Sequence, residues 1–272
     1  SANVATLRNR LTNIGAANPD GSKPVWTYED DYHYKELTPY RSAEGKPLYS
    51  YYLLRTDGVF QTDAEAAAYV NSNGQRLQPK AKAGDLKFVD IDQNGSIGEG
   101  DYEFRGNAMP KMTYAFSAGF SYKKFSFDFM LQGSYGAKLF NAYKYTTLNE
   151  AVGSFNRSER ILKALEGPTY DVPRISMTDD NDNFGRISDW YLESGSYLRM
   201  KNISISYSFS DLLRKLAFFN QRQSTLDLTL SCDNLFTITP YSGIDPEVGG
   251  VGLDCGQYPV SRTISLGVKI KF

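Results

Sequence analysis

Residues 112–135 read MTYAFSAGFSYKKFSFDFMLQGSY, and the alternation in that stretch decides how the rest of the chain is read. Tyr114, Phe116, Ala118, Phe120 and Tyr122 recur at every second position. After Lys123 and Lys124 the same period restarts with Phe125, Phe127, Phe129 and Leu131. A period of two sends successive side chains to opposite faces of a strand. With Lys123 and Lys124 as a two-residue turn, Tyr122 is predicted to pair with Phe125, Phe120 with Phe127 and Phe116 with Leu131, so both apolar rows share one side. Ser117, Ser121, Ser126, Asp128 and Gln132 fall on the other. A strand of about 9–11 residues, large and apolar on one face and small and polar on the other, suits a transmembrane β-barrel. A soluble sandwich shares the alternation, so the hairpin alone does not separate the two.

The connections separate them. Downstream, Tyr197, Ile203, Ile205, Tyr207 and Phe209 share one parity, opposite Asn202, Ser204, Ser206 and Ser208. Leu226, Leu228, Leu230 and Cys232 then alternate with Thr225, Asp227, Thr229 and Ser231. The chain closes with Ile264, Leu266, Val268, Ile270 and Phe272 on one face. Counted back from residue 272, the links between these strands run long, short, long, short and long. Outer-membrane barrels arrange outer loops and periplasmic turns in that way, and a sandwich has no reason to. The fold class expected is therefore all-β, an antiparallel transmembrane β-barrel contributing about six to eight strands.

Composition agrees. The chain has 20 Tyr and 16 Phe beside 23 Gly, with only 41% hydrophobic residues, a balance that fits aromatic side chains at an interface. There is no run long and apolar enough for a membrane helix, which leaves a barrel open because alternating strands keep mean hydropathy low. A net charge of −1 gives no reason to expect nucleic acid. Cys232 and Cys255 do not make a disulfide framework. Weaker strand patterns occupy 3–11, 25–34 and 49–60. Thr62 and Glu65 form a capping-box pattern that opens a short helix, residues 72–84 read as polar linker, and 159–165 has a helical period.

The most specific local chemistry is GDLKFVDIDQNGSIGEGD at 84–101. Asp90, Asp92 and Asn94 stand at positions 1, 3 and 5 of a calcium loop, Gly95 at 6, Ser96 at 7 for its carbonyl, and Asp101 at 12. Calcium takes six or more oxygens around a tight turn, and glycine at position 6 permits that turn. Asp at position 12, in place of the usual bidentate Glu, predicts weaker binding. The same residues also suit a turn rich in Asp, Asn and Gly with no metal. Enzyme chemistry finds no support: the one histidine, His33, lies in a polar run, with no serine nucleophile elbow and no Cys–His pairing. Phosphate-cradling motifs are absent.

The stretches GKPLYSYYLLRTDGVFQT (45–62), residues 84–136, SDWYLESGSYLRMKNISISYSF (188–209), CDNLFTITPYSGIDPE (232–247) and YPVSRTISLGVKIKF (258–272) together resemble the C-terminal part of the SusC/RagA-type TonB-dependent outer-membrane transporters of Bacteroidota. The resemblance implies a barrel of about 22 strands closed by an N-terminal plug, in the outer membrane of a Gram-negative bacterium. It implies import of oligosaccharides or peptides with a SusD-like surface lipoprotein, driven by TonB–ExbB–ExbD through parts not represented here. The plug and most of the barrel are missing from the match, so the chain is read as a segment whose further partners are the remaining barrel and outer-membrane lipid. On this reading 61–111, 136–194 and 238–261 are extracellular loops, with the calcium-like loop 90–101 in the first. Tyr143, Tyr145, Trp190 and Tyr241 are candidate contacts to substrate or lid. The alternative is a small complete barrel, or a soluble calcium-stabilised glycan-binding module.

Overall fold

Six strands form one antiparallel wall in which neighbours in sequence are neighbours in space: β1 (Ala2–Thr6), β2 (Met112–Tyr122), β3 (Phe125–Tyr135), β4 (Tyr197–Ser208), β5 (Thr225–Asp233) and β6 (Thr263–Lys271). A two-residue strand, Thr237–Ile238, also pairs with the start of β4. The computed structural model describes residues 1–19, 22–30, 37–153, 155–209 and 225–271. His33, the short 210–222 connection and the terminal Phe272 lie outside the described residues.

The β2–β3 hairpin has the register expected from its alternation. Tyr122 pairs with Phe125, Phe120 with Phe127 and Phe116 with Leu131. Lys123 takes a positive φ of 55° in the turn, where a left-handed residue matches the right-handed twist of the flanking strands. The register then continues across the sheet, so that Phe120, Phe127, Ile205, Leu230 and Leu266 form one apolar row. Ser121, Ser126, Ser206, Thr229 and Gly267 form the neighbouring row on the opposite face. Hydroxyls bridge adjacent strands along it, Ser121 Oγ to Ser126 Oγ at 2.9 Å and Ser206 Oγ to Thr229 Oγ1 at 2.8 Å.

The apolar row is uncovered. Phe120 is 64% exposed and Leu266 69%, and no second sheet among the described residues packs on them. A sandwich buries one face of each sheet, whereas this wall is a single layer that finds its apolar solvent outside the chain. One glycine on the outward face has a steric reason. A Cβ at Gly133 would collide with the Tyr197 carbonyl and with the Tyr114 ring, whose hydroxyl donates to that carbonyl at 3.1 Å.

Two sequence expectations are corrected. Tyr197 does not share a face with Ile203, because the register shifts between Met200 and Asn202, and one extra residue turns every side chain before it to the other face. Tyr197 and Arg199 therefore lie on the polar side. The 49–60 run is not a wall strand. β1 pairs directly with β2, so the first connection spans 7–111 rather than 61–111.

All three long connections leave the same end of the wall, where Thr6 meets Met112, Met112 meets Tyr135, and Asp233 meets Thr263. They fold together into a cap that holds the main hydrophobic core. Strands Trp26–Asp30, Leu37–Ser42, Ser50–Leu54 and Tyr102–Asn107 make one sheet, Leu192–Ser194, Lys138–Asn141 and Leu253–Asp254 a second, and Thr56–Val59 with Leu86–Phe88 a third. Two helices complete it, α1 (Asp63–Ala68), capped by Thr62 as its sequence predicts, and α2 (Tyr143–Leu148). The 159–165 period is a 3₁₀ helix. Tyr51, Phe140 and Tyr191 are fully buried and stack in series, with ring centroids 6.3 and 4.9 Å apart.

Candidate functional site

The cap is held to the wall, and its connections to one another, by buried charges. Arg199 on β4 is 3% exposed and uses all three nitrogens. Its Nε donates to Thr237 Oγ1 at 2.8 Å, Nη1 to Glu247 at 2.6 Å and Nη2 to Asp245 at 2.6 Å. A guanidinium can bridge two carboxylates in this way because its donors are fixed in a planar fork. The third connection is thereby pinned to the polar face of the wall. A second junction centres on Lys144 of α2, which donates to the Trp190 carbonyl at 2.9 Å, pairs with Glu193 at 2.8 Å and lies over the Trp190 ring. Glu193 in turn accepts from the Ser242 amide and hydroxyl, each at 2.7 Å, which joins the second connection to the third. The Tyr51 hydroxyl, donating toward the Gly252 carbonyl at 3.0 Å, joins the first.

Burial works against the ionisation of Glu193, but Lys144 and the Ser242 donors outweigh it and hold the carboxyl below its ordinary value. Asp245 is likewise held low: its desolvation is outweighed by the amides of Glu247 and Val260 and by Arg199. Desolvation is also the largest influence on Lys144 and lowers it, with Glu193 only partly opposing. Groups with depressed folded values stabilise above the ordinary carboxylate range and lose that contribution as pH falls through the depressed values. The protection factors of amides over 238–247, which correct for the slower intrinsic exchange at low pH, are therefore expected to stay high at neutral pH and to fall on acidification below the ordinary carboxylate range, before those of the wall strands.

The four aromatic candidates divide. Tyr143 is 39% exposed and borders a recess of about 150 Å³ with Asn141, Arg160 and Ser242. Tyr145 is half-buried against the core. Trp190 is 2% exposed, with its indole N–H given to the Tyr170 carbonyl at 2.8 Å, and Tyr241 is 6% exposed with its hydroxyl on Asp254 at 2.6 Å. Both rings pack within the cap, whereas Tyr143 keeps an open face. Arg199, Lys144 and Glu193 were missed. For Arg199 the available signal was a charged residue inside an otherwise apolar and hydroxylated strand pattern.

The acidic loop assembles as its spacing predicts for three residues. Carboxylate oxygens of Asp90, Asp92 and Asp101 all lie within 4.8 Å of one another. Asp101 is fully buried and closes the loop by accepting from the Ile91 amide at 2.6 Å and the Gly98 amide at 2.7 Å. Asp90 Oδ2 accepts from the Gly95 amide at 2.9 Å, while Asp90 Oδ1 is buried with no hydrogen-bond partner. Gly100 passes so close to Asp92 that a Cβ would overlap its carboxylate. Asn94 turns its Oδ1 to the Ser96 amide at 2.9 Å and the Ser96 hydroxyl at 2.7 Å. An orphaned buried carboxylate oxygen beside two further carboxylates fits a hard divalent cation.

No protein-family model matches the chain. It is similar to TonB-dependent receptor P3 of Formosa agariphila, 31% identical over 285 residues that take in 99% of this chain and 26% of the relative. It is also similar to TonB-dependent receptor SusC of Bacteroides thetaiotaomicron, 26% identical over 186 residues, 68% of this chain and 17% of the relative. Among solved structures it superposes on the RagAB peptide transporter with a TM-score of 0.71 at 21% identity, and on the RagAB peptide importer in its open-open state with a TM-score of 0.69 at 22% identity. Each covers 100% of this chain and 26% of the other. The chain spans about a quarter of the length of the first of these relatives.

Proposed function

This chain belongs to the SusC/RagA-type TonB-dependent receptors, as a part of one, and from that premise we propose that it supplies six wall strands and the outer cap of an outer-membrane nutrient importer. The observation that carries the reading is the uncovered apolar row across five strands, joined at one end to a folded cap by buried ion pairs. The cap faces the cell exterior, since its connections are the long ones and barrel turns on the periplasmic side are short. The imported substrate is an oligosaccharide or a peptide, the classes that the resemblance of the sequence to the SusC/RagA type implies; the superposed RagAB complex is a peptide importer, which supports peptides. A SusD-like lipoprotein serves as lid, and TonB–ExbB–ExbD act through the remainder of the receptor. Uptake of labelled oligosaccharides and of labelled peptides by cells carrying or lacking the intact gene tests this. Loss of uptake for one class on deletion, restored by complementation, is expected, and unchanged uptake of both contradicts it.

Within that reading, loop 90–101 binds calcium through Asp90, Asp92 and Asp101, with the orphaned Asp90 Oδ1 as the supporting observation. Bound cation would cross-brace the loop by neutralising three converging carboxylates. Asp90→Ala is expected to weaken calcium binding to the intact receptor at least tenfold by titration calorimetry. Equal affinity in the variant and the parent excludes the site.

A further inference from the structure

Where the wall meets the cap there is a cleft of about 800 Å³ whose lining includes Thr6, Arg8, Lys111 and Lys138. A smaller one of about 380 Å³ adjoins it and shares Arg105, Lys111 and Lys138 while adding Tyr135. Four cations thus line one recess, and the nearby carboxylates are already engaged. Asp189 accepts from Arg105 at 2.7 Å, and Glu193 is paired with Lys144. Among the described residues, no carboxylate pairs with Arg8, Lys111 or Lys138. The Lys138 ammonium donates instead to the Arg105 carbonyl at 2.6 Å. Burial chiefly, and then the charge of Arg105, pushes the Lys138 ammonium below its ordinary value, with Asp189 opposing the shift and Lys111 adding to it.

The register places the end of the apolar face at the border of this recess. Thr6 pairs with Met112 and Met112 with Tyr135, a row with the parity of Tyr114 and Phe116, and so on the apolar face. It is the last row before the cap. Thr6 lines the larger cleft and Tyr135, 59% exposed, lines the smaller. Arg8, two residues beyond Thr6, keeps the parity of that row, while Lys111, next to Met112, lines both clefts from the opposite parity; the clefts thus border the end of the lipid-facing surface, with an amphipathic ring at the level where hydrocarbon gives way to headgroups.

We propose that this recess binds the phosphate of a membrane-lipid headgroup, with Arg8, Lys111 and Lys138 as the donors. The proposal rests on the membrane reading above, because it needs the apolar row to lie in lipid. Each basic residue close to an anionic membrane surface adds about fivefold to affinity, so loss of all three is expected to weaken binding by about a hundredfold.

The test uses the intact receptor in detergent micelles, with lipid A carrying its phosphates as the probe and enzymatically dephosphorylated lipid A as the control, bound lipid being read by native mass spectrometry. The parent is expected to retain the phosphorylated form selectively, and the Arg8→Gln, Lys111→Gln, Lys138→Gln variant to lose it. An Arg8→Lys, Lys111→Arg, Lys138→Arg variant, which keeps the charges, is expected to keep the lipid and so separates charge from misfolding. Equal retention of the dephosphorylated lipid, undiminished binding by the glutamine variant, or displacement of lipid A by a soluble acidic oligosaccharide or peptide would overturn the proposal. A receptor that is monodisperse in water without detergent would instead defeat the membrane reading, a separate result.

Discussion

Replacing Arg199 by methionine is expected to release the 238–261 connection from the wall, at a cost of about 3–5 kcal/mol, the usual penalty for stranding buried charges by removing one partner. Methionine keeps much of the volume but none of the donors, so Asp245, 11% exposed, loses the guanidinium that neutralises it. Thr237 and Glu247 lose their bonds in the same step. The effect is local by construction, since Arg199 lies near the cap end of β4 and the rows nearer the β2–β3 turn do not touch it. Hydrogen exchange and limited proteolysis of the intact receptor are expected to show opening across 238–261 with β5 and β6 still protected. Arg199→Lys is expected to recover only part of the protection, because an ammonium cannot span two carboxylates and a hydroxyl as a planar fork does. Unchanged protection in the methionine variant would mean that the connection is held by its other contacts alone.

Ile205→Lys is expected to destabilise the wall by about 1–3 kcal/mol, between the cost of a cation at the lipid midplane of a barrel and that at its interface, since Ile205 stands in the second apolar row from the β2–β3 turn. Ile205 stands in the row between Phe127 and Leu230, and the next residue along the strand, Ser204, lies between Asp128 and Ser231 on the opposite face. Ser204→Lys is therefore expected to cost little, since its ammonium enters a polar surface beside the Asp128 carboxylate. Urea unfolding of the intact receptor in lipid vesicles measures both. The asymmetry between adjacent residues is the informative quantity, because a soluble sheet exposed on both faces would accept either substitution at small cost.

The wall was legible because a barrel strand writes its environment into every second residue. The β2–β3 pairing could be stated to the residue, and the long and short connections ordered the strands. The bulge before Asn202 was not legible, as an inserted residue leaves no trace in the composition of the pattern it interrupts, and it carried Tyr197 to the wrong face. The cap was hidden for a different reason. Its core is built from Tyr40, Tyr51, Phe140, Trp190 and Tyr191, which come from three separate parts of the chain and from segments too short to show a period. An aromatic residue in a long connection looks the same whether it awaits a ligand or packs against its own or a neighbouring loop, as Trp190 and Tyr241 do. The acidic loop was legible as far as Asp90, Asp92 and Asp101 because its spacing is local. The side-chain turn of Asn94 toward Ser96 depends on competing hydrogen bonds that spacing does not encode.

The central claim, that one face of this wall lies in lipid, is tested most directly by fluorescence quenching along β4. Single cysteines at 202 to 207, introduced after replacing Cys232 and Cys255 by serine, carry a small fluorophore in the intact receptor reconstituted with spin-labelled lipid. Strong quenching is predicted at 203, 205 and 207 and weak quenching at 202, 204 and 206. Uniform quenching at all six positions, or quenching of 203, 205 and 207 by aqueous iodide in place of lipid, would contradict it.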